Sequence, residues 1–390
     1  MYPSENIDFF CPVKINAGKK ALEHLPFELD SLGSANPFLI TTREATKTGL
    51  VKKLINAFKD SDMPLAVFDE TGPVSSLETA RYAAKIFEGT GCDAVVALGN
   101  NPVMDTAKAL NMVVSQETEA IEAYSAGQTL EKPMKPFISI PCFPGNGNEN
   151  GPYAMVGNLA FHSSKLMPDL VIVDPAVIRF EKPLKVTASA MRAITCAIET
   201  CIGPSKNHLT EAFAHVAIEF VLQNLLDALE KNDWKNARQA LSMAETISEC
   251  AFSNTKPGMA YMLGLEISRH CMVPEGLCMG IMLPHVLDYV SATEKSFVSD
   301  LLLPLAGRDL FAITAEGLRA SKVVSMLHEF YYLVYQAANR EIPGTLEDTG
   351  LPKEKLKDIA QNVHKNSGGE FSSDGCLMVL GHAWSGSAME

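Results

Sequence analysis

An α/β domain followed by an all-helical domain is what the sequence predicts. Up to about residue 183, short continuous apolar runs alternate with segments whose apolar residues recur at helical spacing. Strands with no polar face belong to a parallel sheet covered on both sides. Beyond that point the periodic segments carry apolar residues three and four apart, and no strand pattern follows. The chain has 390 residues, 47% of them hydrophobic, with mean hydropathy +0.06. That is enough for domains with buried cores and too apolar for disorder. The division falls at 1–183 and 184–390.

Each element has its own signal. PFLITT (37–42) reads as a strand, and residues 45–59 as a helix with Leu50, Leu54, Ile55 and Phe58 on one face. PLAVFD (64–69) is the next strand, and SLETARYAAKIFEGTG (76–91) a helix closed by glycine. CDAVVALG (92–99) is a strand, and PVMDTAKALNMVV (102–114) a helix with proline in its first turn. PFISIP (136–141) and DLVIVDP (169–175) complete the strands. Helices follow at 185–201, 208–230, 234–252, 257–270, 278–291, 295–303 and 312–340. NSGGEFSSDG (366–375) reads as a loop, and WSGSAME at the end as a frayed tail.

Charge and cysteine content exclude several classes. The formal net charge is −13 and no dense Lys/Arg run appears, which argues against a nucleic-acid partner. MYPSENIDFF lacks the basic and apolar regions of a signal peptide. No apolar run reaches the ~18 residues of a membrane helix, so no membrane role is expected. The nine cysteines include no CxxC and are odd in number, which suits reduced thiols and a cytoplasmic setting.

LGNNPVMDTAK (98–108) raises the functional question, because a glycine between strand and helix is where α/β proteins hold a phosphate. It is one of several spaced motifs that occur in a telling order. The others are FFCPVKINAGKKAL (9–22), ISIPCFPGNGNE (138–149), KLMPDLVIVDP (165–175), TASAMRAITCAIET (187–200) and VPEGLCMGIMLPHVLDY (273–289). Together they resemble the iron-containing (group III) alcohol dehydrogenase family. The resemblance implies a Rossmann-like domain joined to an all-α domain, the dehydroquinate synthase-like architecture. It also implies an NAD(P)-dependent oxidoreductase for a small alcohol or aldehyde, with that ligand in the cleft between domains. Homodimerisation through the N-terminal strands is implied too, with PVKINAG in that role.

The departures from the family fall on its functional positions. The family's GGGS, whose backbone approaches the cofactor pyrophosphate, matches Gly99, Asn100, Asn101 and Pro102. Two threonines of the second loop become Cys142 and Phe143, while Gly145, Gly147 and Glu149 remain. The residue facing the adenosine ribose is Arg43, a charge that suits the 2′-phosphate of NADP or else a plain surface position. Asp105 and Lys108 are kept on the phosphate-facing helix, whereas the family's nicotinamide-side lysine falls at Asn158 or Leu159. The resemblance thus puts NAD or NADP on Arg43, Gly99, Asn100, Asn101, Asp105, Cys142, Phe143 and Gly147.

The family's metal ligands, one Asp and three His, match Arg192, Cys196, Tyr261 and Glu275. Arginine does not deprotonate and cannot ligate a metal, so neither iron nor zinc is expected. A further family histidine falls at Leu265, and His270 and Cys271 match no ligand position. Two readings stand for the altered cluster. In one, Arg192 and Glu275 pair, with Tyr261 beside them, and hold a substrate oxygen in place of the metal, which requires the two side chains within about 6 Å. In the other the cluster fills a vacated cavity. The corresponding functions are a divergent oxidoreductase, or a catalytically inactive relative that binds a small molecule or a protein. A metal-independent enzyme of another class, built on Arg192, Tyr261 and Glu275, is a third.

Overall fold

The computed structural model describes residues 7–143, 145, 147–179, 182–230 and 234–386. The chain divides into two compact units, Cys11–Arg179 and a second of Phe180–Glu390 together with Met1–Phe10. The final residues of the WSGSAME tail, 387–390, lie outside the described residues.

In the first unit six strands form one parallel sheet: β1 (Lys14–Ala17), β2 (Pro37–Ile40), β3 (Ala66–Phe68), β4 (Ala94–Gly99), β5 (Phe137–Pro141) and β8 (Leu170–Val173), in the order β1-β8-β5-β4-β2-β3. The helices are α1 (Leu25–Ser31), α2 (Arg43–Lys47), α3 (Leu50–Ala57), α4 (Leu77–Gly89), α5 (Asn101–Gln116) and α6 (Glu122–Ser125). Side chains of β4 alternate between two buried clusters. Val95 and Ala97 join Phe38, Ile40 and residues of α4 and α5, while Ala94, Val96 and Leu98 join Leu39 and residues of α1 and α3. Both faces are therefore dry, which explains the unbroken apolar runs. The chain leaves β2 in one direction and β4 in the other, so the carboxyl ends of β2 and β4 form the switch point where such sheets take ligands.

Local chemistry accounts for the departures from the sequence reading. The helix expected over 45–59 is two, because Gly49 turns the chain at φ +81°. Thr42 caps α2 and Ser76 caps α4, each accepting from the N–H three residues on. At the edge of the sheet β1 pairs in parallel with β8, and the chain turns away at Gly18 and Lys20. A short antiparallel hairpin, β6 (Tyr153–Val156) and β7 (Leu159–His162), follows the β5 loop and carried no clear sequence pattern.

The second unit is helical: α7 (Pro183–Ile202), α8 (His208–Glu230), α9 (Trp234–Phe252), α10 (Met259–Ser268), α11 (Glu275–Ser291), α12 (Lys295–Asp300), α13 (Leu302–Ile313), α14 (Glu316–Ala337), α15 (Leu356–Asn366) and α16 (Ser373–Ser385). Gly307 breaks α13 with φ +79°. The helix expected from residue 312 begins at Glu316, and α16 takes the end of the expected loop, residues 373–375, and the first two residues of the expected tail. Residues 186–201 of α7 are all buried, with α8, α9, α10 and α11 packed around them. By length and composition alone α8 would cross a membrane, contrary to the sequence reading; here it packs on α7 and α9.

Candidate active site

In the first unit, register brings the two expected cofactor loops together. Gly99 pairs with Pro141 across β4 and β5, and the Cys142 N–H donates to the Gly99 carbonyl at 3.0 Å. Gly99 is required by packing: a Cβ there would sit 2.6 Å from Val103 Cγ2. Asn100 is the N-cap of α5, extended and exposed, with no side-chain capping bond. Its carbonyl accepts from the Val103 and Met104 N–H groups. Asn101 is half-buried, and its Oδ1 lies 3.6 Å from where a Cβ on Gly145 would be, with Glu149 Oε2 at 3.0 Å. Gly147 turns the second loop at φ +76°.

Asp105 and Lys108 hold that second loop from below. Lys108 is buried, and its Nζ donates to the Asn148 carbonyl and side chain and to the Gly151 and Tyr153 carbonyls, each at 2.8 Å. Asp105 Oδ1 accepts from Asn148 Nδ2 at 2.6 Å and the Met155 N–H at 2.9 Å. The sequence reading set Asp105 among cofactor contacts; the geometry makes it a brace, since α5 turns this face toward the β6 hairpin. Cys142 is likewise displaced from its expected place. It is 1% exposed, follows Ile138 and Ile140 on the same face of the sheet, and burial pushes its thiol up to about 12. Phe143 packs against the same cluster. Arg43 is exposed in the first turn of α2 and donates to Glu70 Oε1 at 2.8 Å. Asn158 and Leu159 lie at the β6–β7 turn.

In the second unit, α7 carries Arg192 and Cys196 one turn apart. Arg192 is 1% exposed. Its Nη1 is 3.3 Å from Glu245 Oε2 and its Nη2 3.1 Å from Glu249 Oε2, both glutamates being buried on successive turns of α9. Ser189 donates to the other Glu245 oxygen at 2.9 Å. Glu275, at the start of α11, stands 4.0 Å from Arg192 Nε with its side chain 31% exposed. Gly276 allows this approach, since a Cβ there would collide with the Ala188 carbonyl on α7. The guanidinium lies 5.8 Å from the Tyr261 ring centre. Burial pushes the Tyr261 hydroxyl and the Cys196 thiol well above their ordinary ranges, with Arg192 opposing in both cases. Glu199 is buried beneath the start of α10, where it accepts from the Ala260 and Tyr261 N–H groups at 2.5 and 3.2 Å and so positions Tyr261. Burial raises this carboxyl to about 7.

The sequence reading assigned Glu275 as the partner of Arg192 and did not identify Glu245 or Glu249. A signal existed. An arginine in the middle of an apolar helix demands buried acids, and SMAETISEC offers two at a spacing of four. The donor set does not fit a divalent metal. A fixed cation stands where one ligand would be, and it is held there between buried Glu245 and Glu249. Among the described residues no group of three or more His, Cys, Asp or Glu has an arrangement that could hold a metal ion. His270 instead lies 3.4 Å from Glu266 Oε1, its i−4 neighbour, and Leu265 sits on the same helix, α10.

Comparison with known proteins agrees across both units. The chain is 24% identical to the NAD-dependent methanol dehydrogenase of Bacillus methanolicus over 369 residues, covering 92% of this chain and 93% of that one. It is 25% identical to the 1,3-propanediol dehydrogenase of Klebsiella pneumoniae, covering 95% and 94%. Among solved structures, a 1,3-propanediol oxidoreductase superposes with TM-score 0.87 at 20% identity, covering 97% and 100%. A sulfoacetaldehyde reductase from Bifidobacterium kashiwanohense in complex with NAD+ superposes with TM-score 0.82 at 19% identity, covering 98% and 100%. The family model for iron-containing alcohol dehydrogenase matches residues 12–175, and the model for the C-terminal region of the Fe-containing alcohol dehydrogenase family matches 186–372. With one model on each unit, the chain belongs to the iron-containing alcohol dehydrogenase family.

Proposed function

We propose that the protein is a divergent NAD(P)-dependent oxidoreductase for a small alcohol or aldehyde, whose metal centre has been replaced by the Arg192–Glu245–Glu249 cluster. The braced pair of loops after β4 and β5 carries this reading. Gly99, Gly145 and Gly147 keep the backbone low, and the start of α5 offers the Asn101 N–H, the helix dipole and the Asn100 and Asn101 amides to an anion, Pro102 having no N–H and those of Val103 and Met104 being taken by the Asn100 carbonyl. The dinucleotide, when bound, supplies or accepts the hydride. Arg43 is already paired with Glu70, so a 2′-phosphate must displace that carboxylate. On the substrate side Arg192 acts internally, because both of its terminal nitrogens face buried glutamates. Tyr261 keeps its proton and is partly exposed, which suits a donor to a substrate oxygen, with Glu275 beside the same cluster.

A second reading, a non-catalytic small-molecule or protein-interaction module, draws on the enclosure of Arg192: at 1% exposure it replaces the metal's charge without replacing its open coordination. Titration with NADH and with NADPH, followed by aldehyde reduction with and without chelator or added Fe2+ and Zn2+, separates the two. Binding with chelator-insensitive turnover supports the first; binding without turnover on a broad aldehyde panel supports the second. No binding at millimolar nucleotide overturns the dinucleotide role. Turnover that requires metal overturns the replacement. A homodimer through the open edge of β1 and a cytoplasmic location belong to the same proposal, the first being checked by sedimentation.

A further inference from the structure

The later turns of α11 line a cavity of about 370 Å³ in the helical unit, a volume in the range of small-ligand pockets. His285 comes from α11, His328, Tyr331, Tyr332 and Tyr335 from α14, and Asp348 from the segment that follows α14. Residues 328, 331, 332 and 335 are spaced at three and four, so one face of α14 carries them. The cavity is separate from the Arg192 cluster: His285 lies ten residues beyond Glu275 on α11, about 15 Å along the helix.

Its walls hold polar groups that the fold does not use. His285 is 4% exposed, and among the described residues its Nδ1 and the buried Nε2 of His328 meet no hydrogen-bond partner. The two rings stand edge to face with centroids 4.9 Å apart. Burial, above all, holds His285 down to about 4 and His328 below its ordinary range, so at neutral pH each ring is uncharged and offers an acceptor nitrogen. The Asp348 carboxylate is fixed in direction, because its Oδ2 accepts from the Gly344 and Thr345 N–H groups at 3.0 and 2.9 Å. Gly344 sets that carboxylate beside an aromatic ring: a Cβ there would lie 3.3 Å from Asp348 Oδ2 and 3.4 Å from Tyr335 Cε2. No Lys or Arg is among the described lining residues. An anion would therefore meet Asp348 and no countercharge. A metal ion finds no group of three or more His, Cys, Asp or Glu arranged to hold it among the described residues. A cation bearing N–H donors suits the carboxylate, the tyrosine rings and the imidazole acceptors together.

We propose that this cavity is a second ligand site, one that takes a small organic ammonium ion with an apolar body, its charge set against Asp348 and the tyrosine rings and its N–H donors turned to His285 and His328. The probe is 2-phenylethylamine, with 2-phenylethanol and phenylacetate as its uncharged and anionic counterparts, titrated into full-length protein without nucleotide. Calorimetry reads affinity and NMR reads the histidine rings, with His285→Gln and His328→Gln assigning two of the nine. The expected result is saturable binding of the amine that shifts both rings, about tenfold or more tighter than the alcohol, with no binding of the acid. Asp348→Asn keeps an acceptor for the turn and should weaken the amine about tenfold. Tyr335→Leu leaves the carboxylate in place and should weaken the amine too, so a variant that fails to fold leaves the other as the test. The proposal is overturned if the amine does not bind at millimolar concentration, binds no tighter than the alcohol, leaves both rings unmoved, or keeps its affinity in the folded variants. Zn2+ that saturates the two imidazoles at one equivalent and excludes the amine overturns it as well, by making the cavity a metal site. None of these readouts depends on nucleotide binding or on aldehyde turnover.

Discussion

Replacing Arg192 with methionine puts the central cluster to a quantitative test. Wild type places one guanidinium 3.1 and 3.3 Å from two carboxylates that are 1% exposed or less. Methionine fills much of the volume but leaves Glu245 and Glu249, one turn apart on α9, side by side at a dry helix interface without the guanidinium. Breaking a buried pair by deleting one partner costs about 3–5 kcal/mol, because the remaining charge is uncompensated. At roughly 2–4 °C per kcal/mol for a unit of this size, the melting temperature falls by roughly 6–20 °C. The loss must depend on pH, since the orphaned carboxylates can escape by taking protons. It should be larger at pH 8 than at pH 5. Adding Glu245→Gln and Glu249→Met should recover most of the loss at pH 8, as apolar replacement of whole ion clusters usually does. Urea unfolding of all three proteins at both pH values is the assay. A loss under about 1 kcal/mol for Arg192→Met, equal at the two pH values, would refute the claim that this cluster is a buried and mutually dependent unit.

The remaining expectations can be checked together. Glu199 has a folded value raised to about 7 from 4.5, so it contributes stability below pH 4.5 that is lost as pH rises through 7. That is about 3 kcal/mol, and Glu199→Gln should flatten the stability profile across that window. Gly99→Ala, with its Cβ 2.6 Å from Val103, should cost about 1–3 kcal/mol and weaken any dinucleotide binding measured by calorimetry. Lys108→Met strips one donor from four loop oxygens, so a loss of about 3 kcal/mol and faster amide exchange confined to residues 145–155 are expected. Chelator treatment should move the melting temperature by less than about 1 °C, since no bound cation then contributes to folding, and elemental analysis should find no stoichiometric iron or zinc.

The architecture was legible where burial is two-sided. β2, β4, β5 and β8 are covered on both faces and left continuous apolar runs. β1 is a half-exposed edge strand and the β6–β7 hairpin is short and mixed, so neither wrote a period into the sequence. Gly49 broke a helix that periodicity alone would continue. At the site, motif register located Arg192, Tyr261 and Glu275 but not the acids that hold Arg192. Glutamates four apart on a helix ordinarily mark its wet side, and only the demand of a buried cation for partners points the other way. The burial of Cys142 follows from strand parity, which a motif position does not carry. Ile138, Ile140 and Cys142 alternate onto one face, and that face is the core.

A bound metal has an occupancy, which follows the cell's supply of that metal and differs from one molecule to the next. The positive charge at the centre of the helical unit has none, because it is synthesised with α7 and stays charged at any pH the protein meets. Every copy that folds is therefore electrostatically complete. On the proposed function, starvation for transition metals, or exchange of one for another, leaves this centre as it was. The same permanence forecloses tuning of that charge: Arg192 cannot be emptied, reloaded or moved to another oxidation state.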